Sequence, residues 1–113
     1  MSKFDDAIDL YKSSIAEAGL AAADDTLLTA VAKGLGPSIY LVDASKVSCS
    51  DSTETDRVKA NFLIKKMGLT DGANLDAAIK AVCNQMGSSN KSKYRAVFYY
   101  LLVKNLGLES QYA

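Results

Sequence analysis

A chain of 113 residues with 49% hydrophobic and 23% charged side chains has the size and composition of one ordinary globular domain, so a disordered chain is excluded. Folding at this length buries roughly 65% of the unfolded chain's surface, and neither a metal nor a disulfide framework is needed to hold the core. We therefore predict a single domain over residues 1–113. The net charge is zero, which leaves the distribution of charge along the chain as the informative property.

That distribution is uneven. Residues 1–56 carry four basic and ten acidic side chains, whereas residues 57–113 carry nine basic and three acidic ones. Two interpretations follow. The two halves can pack together so that their fields largely cancel, or the basic half can meet an anionic partner.

Helical periodicity dominates along the chain, and the alternating pattern of a strand is absent. A first apolar stripe predicts a helix between a cap at Ser2 and an end at Gly19, and it is formed by Phe4, Ile8, Tyr11 and Ile15. A second helix is expected to begin at Asp24, a good N-cap residue, and to stop at Gly34. Its inward-facing residues are Leu27, Leu28 and Val31. The single proline, Pro37, then favours a short helical turn.

Two longer helices are predicted next. One begins near Asp51, with Ala60, Leu63, Ile64 and Met67 on one face and Val58 and Phe62 on another. The other sets Leu75, Ala78, Ile79, Val82, Cys83 and Met86 together and ends at Gly87. In this interpretation Cys83 is a small apolar core residue rather than a reactive thiol.

The last predicted helix spans about residues 91–106 and is closed by Gly107. Apolar side chains occupy most of its circumference, which indicates a central helix surrounded by the others. Its apolar run, residues 96–103, is much shorter than the ~20 residues of a membrane-spanning helix, so no membrane segment is expected. The predicted fold is thus an all-α, compact bundle of five or six helices.

Three segments carry a resemblance to a known family: GLGPSIY at 34–40, NFLIKKMGL at 61–69 and KYRAVFYYLLVKN at 93–105. Together they resemble a family of short bacterial proteins classified only as a domain of unknown function, over roughly residues 2–106. The resemblance implies a helical bundle in which one central helix is wrapped by the others. It implies no activity and no catalytic residues.

A narrow polar strip on the last helix is the first candidate site. Lys93, Tyr100 and Lys104 follow at i, i+7 and i+11, so on a continuous helix they lie within about 40° of one another. Two interpretations stay open. The strip binds an anion, a nucleic-acid phosphate or a partner, or the lysines extend into solvent while Tyr100 lies at the edge of the core.

The segment GLGPS at 34–38 is the second candidate. Free backbone N–H groups before a proline-started turn can bind a phosphate or carboxylate, with Lys33 and Ser38 beside them. The segment lacks the lysine of a phosphate-binding loop, and no strand precedes it. A helix stop followed by a turn is the simpler interpretation.

The chain contains no histidine, which removes the commonest general base and the Ser-His and Cys-His nucleophile pairs. Cys49 and Cys83 form no CxxC motif, no cofactor motif is present, and neither cofactor nor metal is expected. We predict a non-enzymatic protein of a reducing cytoplasm that acts by association with another protein or with itself. The alternative is an anion or nucleic-acid binder that uses basic residues of the second half: Lys65, Lys66, Lys91, Lys93, Arg95 and Lys104.

Overall fold

The computed structural model describes residues 3–17, 24–40, 46–87 and 93–112, and the side chains of Pro37 and Ser38 are outside that description. Within these ranges the chain forms five α-helices, one of which continues as a π-helix, together with two short 3₁₀ turns. The radius of gyration is 13.0 Å, close to the ~13 Å of a folded domain of this size. The predicted all-α compact bundle is confirmed.

The first two helices are α1 (Lys3–Glu17) and α2 (Asp25–Leu35). The predicted stripe faces inward, since Tyr11 and Ile15 are buried and Phe4 and Ile8 are partly buried. The predicted ends of the first helix, Ser2 and Gly19, lie outside the described residues.

Asp24 caps α2 as predicted, because its Oδ1 atom accepts a hydrogen bond from the Leu27 amide at 3.2 Å. The predicted stop at Gly34 is wrong by two residues. The helix continues through Leu35, and Gly36 ends it by adopting a φ of 68°, which a residue with a Cβ rarely adopts. A 3₁₀ turn, Gly36–Tyr40, follows.

The third helix changes its winding. It starts as α3 (Ser52–Arg57), whose N-cap Asp51 accepts a hydrogen bond from the Thr53 amide, and continues as a π-helix, Val58–Lys66. The wider π turn brings residues four or five positions apart onto one face, so the two predicted apolar faces merge. That face consists of Val58, Phe62, Leu63 and Met67, all buried, and the prediction that Ala60 faces the core is wrong because Ala60 is exposed.

The fourth helix, α4 (Ala73–Met86), has the predicted apolar face: Leu75, Ile79, Val82 and Met86 are buried. The last helix is α5 (Arg95–Leu106), and Gly107 closes it in the left-handed conformation. Every residue from 96 to 103 is buried, and α5 packs against α1, α2 and α4. The central position predicted for this helix is confirmed, although it begins at Arg95 rather than near residue 91.

The two cysteines are joined in a disulfide bond. The prediction that Cys83 is only a small apolar core residue is therefore wrong, although both cysteines do pack against the core. Sequence spacing could not reveal the bond because 34 residues separate the two cysteines. No helix in the described part of the chain has the length and apolar content required to cross a membrane.

Candidate functional site

The predicted polar strip of the last helix does not form. Lys93 lies before α5, outside any helix, and its carbonyl oxygen accepts a hydrogen bond from the Val47 amide at 2.8 Å. Its side chain is only 6% exposed. Since Lys93 is not on the helix, the i, i+7, i+11 relationship does not apply to it, and the prediction that Lys93 extends into solvent is wrong.

Tyr100 is also buried, and its hydroxyl group already has a partner. The Asp24 amide donates a hydrogen bond to the Tyr100 oxygen at 2.9 Å, which joins the beginning of α2 to the centre of α5. A tyrosine buried at 4% exposure and bonded in this way holds two helices together. It presents no free hydroxyl to an outside ligand.

The remaining predicted contact residues belong to different elements. Lys104 is exposed near the end of α5, with its Nζ atom 3.8 Å from a Glu109 carboxylate oxygen. Lys33 is exposed in the last turn of α2, and the side chain of Ser38 lies outside the described residues. Beside Lys33, the Lys66 ammonium group approaches the Gly34 carbonyl oxygen at 3.5 Å, so a cation rather than an anion lies against that carbonyl.

A polar cluster that the sequence did not predict lies where α3 meets α5. The Arg95 guanidinium group donates to a Glu54 carboxylate oxygen, to the Tyr99 hydroxyl at 3.2 Å and to the Lys46 carbonyl at 3.3 Å. The Arg95 and Glu54 side chains are 17% and 20% exposed. The Tyr99 ring stacks on Phe62 with ring centroids 3.9 Å apart.

These contacts determine the protonation of Arg95. Burial disfavours the charged form, but the hydrogen bond to Tyr99 and the attraction of the Glu54 carboxylate more than offset it, and the pKa of the guanidinium group is raised. The group therefore stays charged and bonded to its neighbours. Its chemistry suits a permanent connection between helices better than proton transfer.

A second cluster is aromatic and lies between α1 and the segment before α5. The rings of Tyr11 and Tyr94 have centroids 5.5 Å apart. Burial, followed by the proximity of Tyr40 and Tyr94, raises the pKa of Tyr11 to about 12. Tyr40 itself is 46% exposed, and it is one of two large hydrophobic side chains that are strongly exposed among the described residues.

The other such side chain is Leu10, which is 47% exposed. It lies on the outer side of α1 together with residues at helical spacing from it, all of them exposed. We name this surface the acidic face and define it as Asp6, Asp9, Leu10, Ser13 and Glu17. Three carboxylates thus surround one apolar side chain.

Sequence reasoning missed the acidic face, although a signal was present. The predicted inward stripe of the first helix omits Leu10, so a helical projection of the same segment places that leucine among acids on the opposite side. Sequence offered no signal for the Arg95 cluster, because Arg95 and Glu54 are 41 residues apart. Within the described residues, no group of three or more acids or cysteines is arranged to hold a metal ion.

Comparison with known proteins completes the description of the chain. No curated protein matches it. A family model described as a protein of unknown function, DUF2853, matches residues 10–110, nearly the whole length. The chain belongs to this DUF2853 family of proteins of unknown function.

Proposed function

We propose that the protein is a non-enzymatic binding protein that acts by associating with another protein chain through the acidic face of α1. The observation that supports the proposal best is the exposure of Leu10, at 47%, in the middle of exposed carboxylates. A leucine in solvent is not unusual by itself. Its position between acids on one helical surface gives the surface an apolar centre and a polar rim, which is the arrangement of protein interfaces.

The charge of the acidic face defines the chemistry of the partner. A complementary surface carries lysines or arginines around a shallow apolar contact for Leu10. On this chain, one basic residue, Lys3, lies at the amino-terminal edge of the acidic face. A second copy of the chain can provide such a surface. Its exposed lysines in the described residues include Lys33, Lys65, Lys66 and Lys104.

The test uses one disruptive variant and one matched control. Leu10→Glu puts a fourth carboxylate at the centre of the acidic face, and Lys80→Glu makes a charge change at an exposed position of a different helix, α4. Sedimentation velocity of the purified proteins at low and high salt measures self-association. Capture on tagged protein from the source organism, quantified by mass spectrometry, measures binding to other proteins.

We expect salt-sensitive binding that Leu10→Glu reduces by at least about tenfold and that Lys80→Glu leaves unchanged. Loss of a dimer in sedimentation identifies a second copy as the partner, and loss of a captured protein identifies a different one. Wild-type protein that stays monomeric, and whose captured proteins are the same for both variants, contradicts the proposal.

The alternative, an anion or nucleic-acid binder, has less support. Lys93 is buried and Arg95 is paired with Glu54, so neither is free to neutralise a phosphate. Lys59 is held between Asp71 at 2.7 Å and Asp76 at 3.0 Å, and Lys91 lies outside the described residues. Fluorescence titration with short DNA and RNA at two salt concentrations tests this alternative, which predicts binding at low salt that weakens steeply as salt is added.

A cytoplasmic location in a bacterium is part of the proposal. It rests on the family resemblance of the three sequence segments. The disulfide bond does not support it, because disulfides are rare in a reducing cytoplasm. Cell fractionation combined with rapid alkylation of free thiols tests both the location and the redox state of the cysteines there.

A further inference from the structure

The disulfide bond connects a short loop to a long helix. Cys49 lies in the segment between the pairing residue Lys46 and the helix cap Asp51, and Cys83 lies in the last part of α4. The two Cα atoms are 6.0 Å apart, within the usual range for a disulfide. The bond therefore attaches residues 46–51, which we name the crosslinked segment, to the side of α4.

The crosslinked segment is also held by contacts that do not involve sulfur. Val47 is a core residue, and its amide donates to the Lys93 carbonyl at 2.8 Å. Lys46 pairs with Tyr94 in an isolated antiparallel bridge, and the Lys46 carbonyl accepts a hydrogen bond from Arg95 at 3.3 Å. These contacts reach residues 93–95, at the beginning of α5, whereas the disulfide reaches α4.

The crosslinked segment is thus attached in two places, covalently to α4 and by non-covalent contacts to residues 93–95. Both cysteines are of intermediate exposure rather than buried, so we expect a small thiol to reach the bond without unfolding of the chain. The helices themselves are held by the core around α5, in which neither cysteine is fully buried. Loss of the bond should therefore leave the bundle in place and weaken the attachment of the crosslinked segment.

We propose that Cys49 and Cys83 form a reversible dithiol–disulfide site, and that reduction of this site releases the crosslinked segment from α4 while the helical bundle stays folded. This places a redox-responsive element beside α3 and the beginning of α5. It is independent of the partner proposed for the acidic face. In a reducing compartment the released state is the resting state, and oxidation attaches the segment to α4.

The chemistry is thiol–disulfide exchange with a dithiol reductant. A thiolate of the reductant attacks one cysteine sulfur, the S–S bond breaks, and the other cysteine leaves as a thiolate that takes up a proton. The second thiol of the reductant then closes on its own mixed disulfide and releases the first cysteine. The protein gains two electrons and two protons, and the dithiol becomes a cyclic disulfide. A disulfide oxidant such as oxidised glutathione reverses the reaction in two equivalent steps.

The experiment measures accessibility and consequence on the full chain. Oxidised protein is treated with dithiothreitol in native buffer, and free thiols are counted by alkylation and mass spectrometry. Amide hydrogen exchange is then compared between the oxidised and reduced forms, with circular dichroism as the measure of helix content. The Cys49→Ser, Cys83→Ser double variant is the control, since its exchange should not respond to dithiothreitol.

We expect two thiols to appear without denaturant, helix content to stay the same, and the Val47 amide to exchange faster by at least about tenfold on reduction. Amides of α5 should change far less than that of Val47. Oxidised glutathione should restore the slow exchange in the wild-type protein only. The proposal is overturned if the bond resists dithiothreitol until denaturant is added, if reduction removes the helical signal, or if exchange at Val47 is the same in both forms.

Discussion

The backbone amide of Asp24 donates a hydrogen bond to the hydroxyl oxygen of Tyr100, 2.9 Å away and 76 residues along the chain. The side chain of the same residue caps α2 by accepting from the Leu27 amide. Asp24 thus has two roles: its side chain caps the start of α2, and its amide attaches α2 to α5. The entry of α2 into the bundle depends on both bonds.

Removal of the Tyr100 hydroxyl should destabilise the protein without changing its core packing. Tyr100→Phe keeps the ring and leaves the partly buried Asp24 amide without its partner, at a cost of about 1–2 kcal/mol. Urea unfolding measures the free-energy change. Tyr40→Phe is the matched control, because that tyrosine is 46% exposed, and it should change stability by less than about 0.5 kcal/mol. Equal effects of the two substitutions would contradict the role assigned to Tyr100.

The burial of Lys93 predicts that charge reversal at Lys93 lowers stability more than charge reversal at Lys104, although the sequence predicts both lysines on one polar strip. Lys93→Glu places a carboxylate at a position that is 6% exposed and should cost about 2–4 kcal/mol. Lys104→Glu reverses an exposed charge near Glu109 and should cost less than about 1 kcal/mol. Thermal and urea unfolding of the two single variants measure the difference. If both variants were as stable as the wild type, Lys93 would have to be exposed in solution.

The ion pair between Glu54 and Arg95 should contribute more than the surface ion pairs do. Glu54→Gln removes the negative charge beside the largely buried guanidinium group, and we expect a loss of about 2 kcal/mol. Glu109→Gln, which weakens the exposed pair with Lys104, should cost less than about 0.5 kcal/mol. Added salt should reduce the effect of Glu109→Gln much more than that of Glu54→Gln, because screening acts mainly on exposed charges. Urea unfolding at two salt concentrations distinguishes the two pairs.

The raised pKa of Tyr11 predicts a loss of stability at alkaline pH. The folded protein holds this proton up to a pKa of about 12, against the ordinary tyrosine pKa of 10.0. Between those two values the unfolded chain releases the proton and the folded chain does not, so stability is fully present below pH 10 and falls as the pH rises through the folded value. This difference in pKa corresponds to about 3 kcal/mol.

The measurement compares wild type with Tyr11→Phe. The other tyrosines and the lysines also titrate in this range, so the difference between the two proteins is the relevant quantity. Urea unfolding from pH 8 to pH 11 should show the wild type losing more stability above pH 10 than the variant does. Parallel pH profiles would show that Tyr11 ionises at an ordinary pKa.

Local features could be predicted from the sequence because they depend on residues within one or two helical turns. The apolar stripe of α1, the cap at Asp24 and the stop at Gly107 all formed as predicted. The continuous apolar surface of residues 96–103 also identified the central helix, since a helix that is apolar on every side must be buried on every side. Composition and periodicity were thus sufficient for the fold class.

The candidate site could not be predicted in the same way. The bond between Cys49 and Cys83, the pairing of Arg95 with Glu54 and the burial of Lys93 depend on which segments meet, and the partners are 34 and 41 residues apart in the first two cases. The sequence predicts Lys93 on the last helix, but in the folded chain Lys93 precedes that helix and its carbonyl oxygen accepts a hydrogen bond from the Val47 amide.

The sequence by itself determined that this protein is an all-α bundle built around its last long helix, because hydrophobic periodicity is a property of neighbouring residues. Only the tertiary structure decided which polar groups are free to act. In the folded chain Lys93 and Tyr100 are buried, the two cysteines form a disulfide bond, and Leu10 is exposed among acidic residues. The physical reason is that burial, pairing and exposure of a polar side chain depend on contacts between distant segments, which no local pattern encodes.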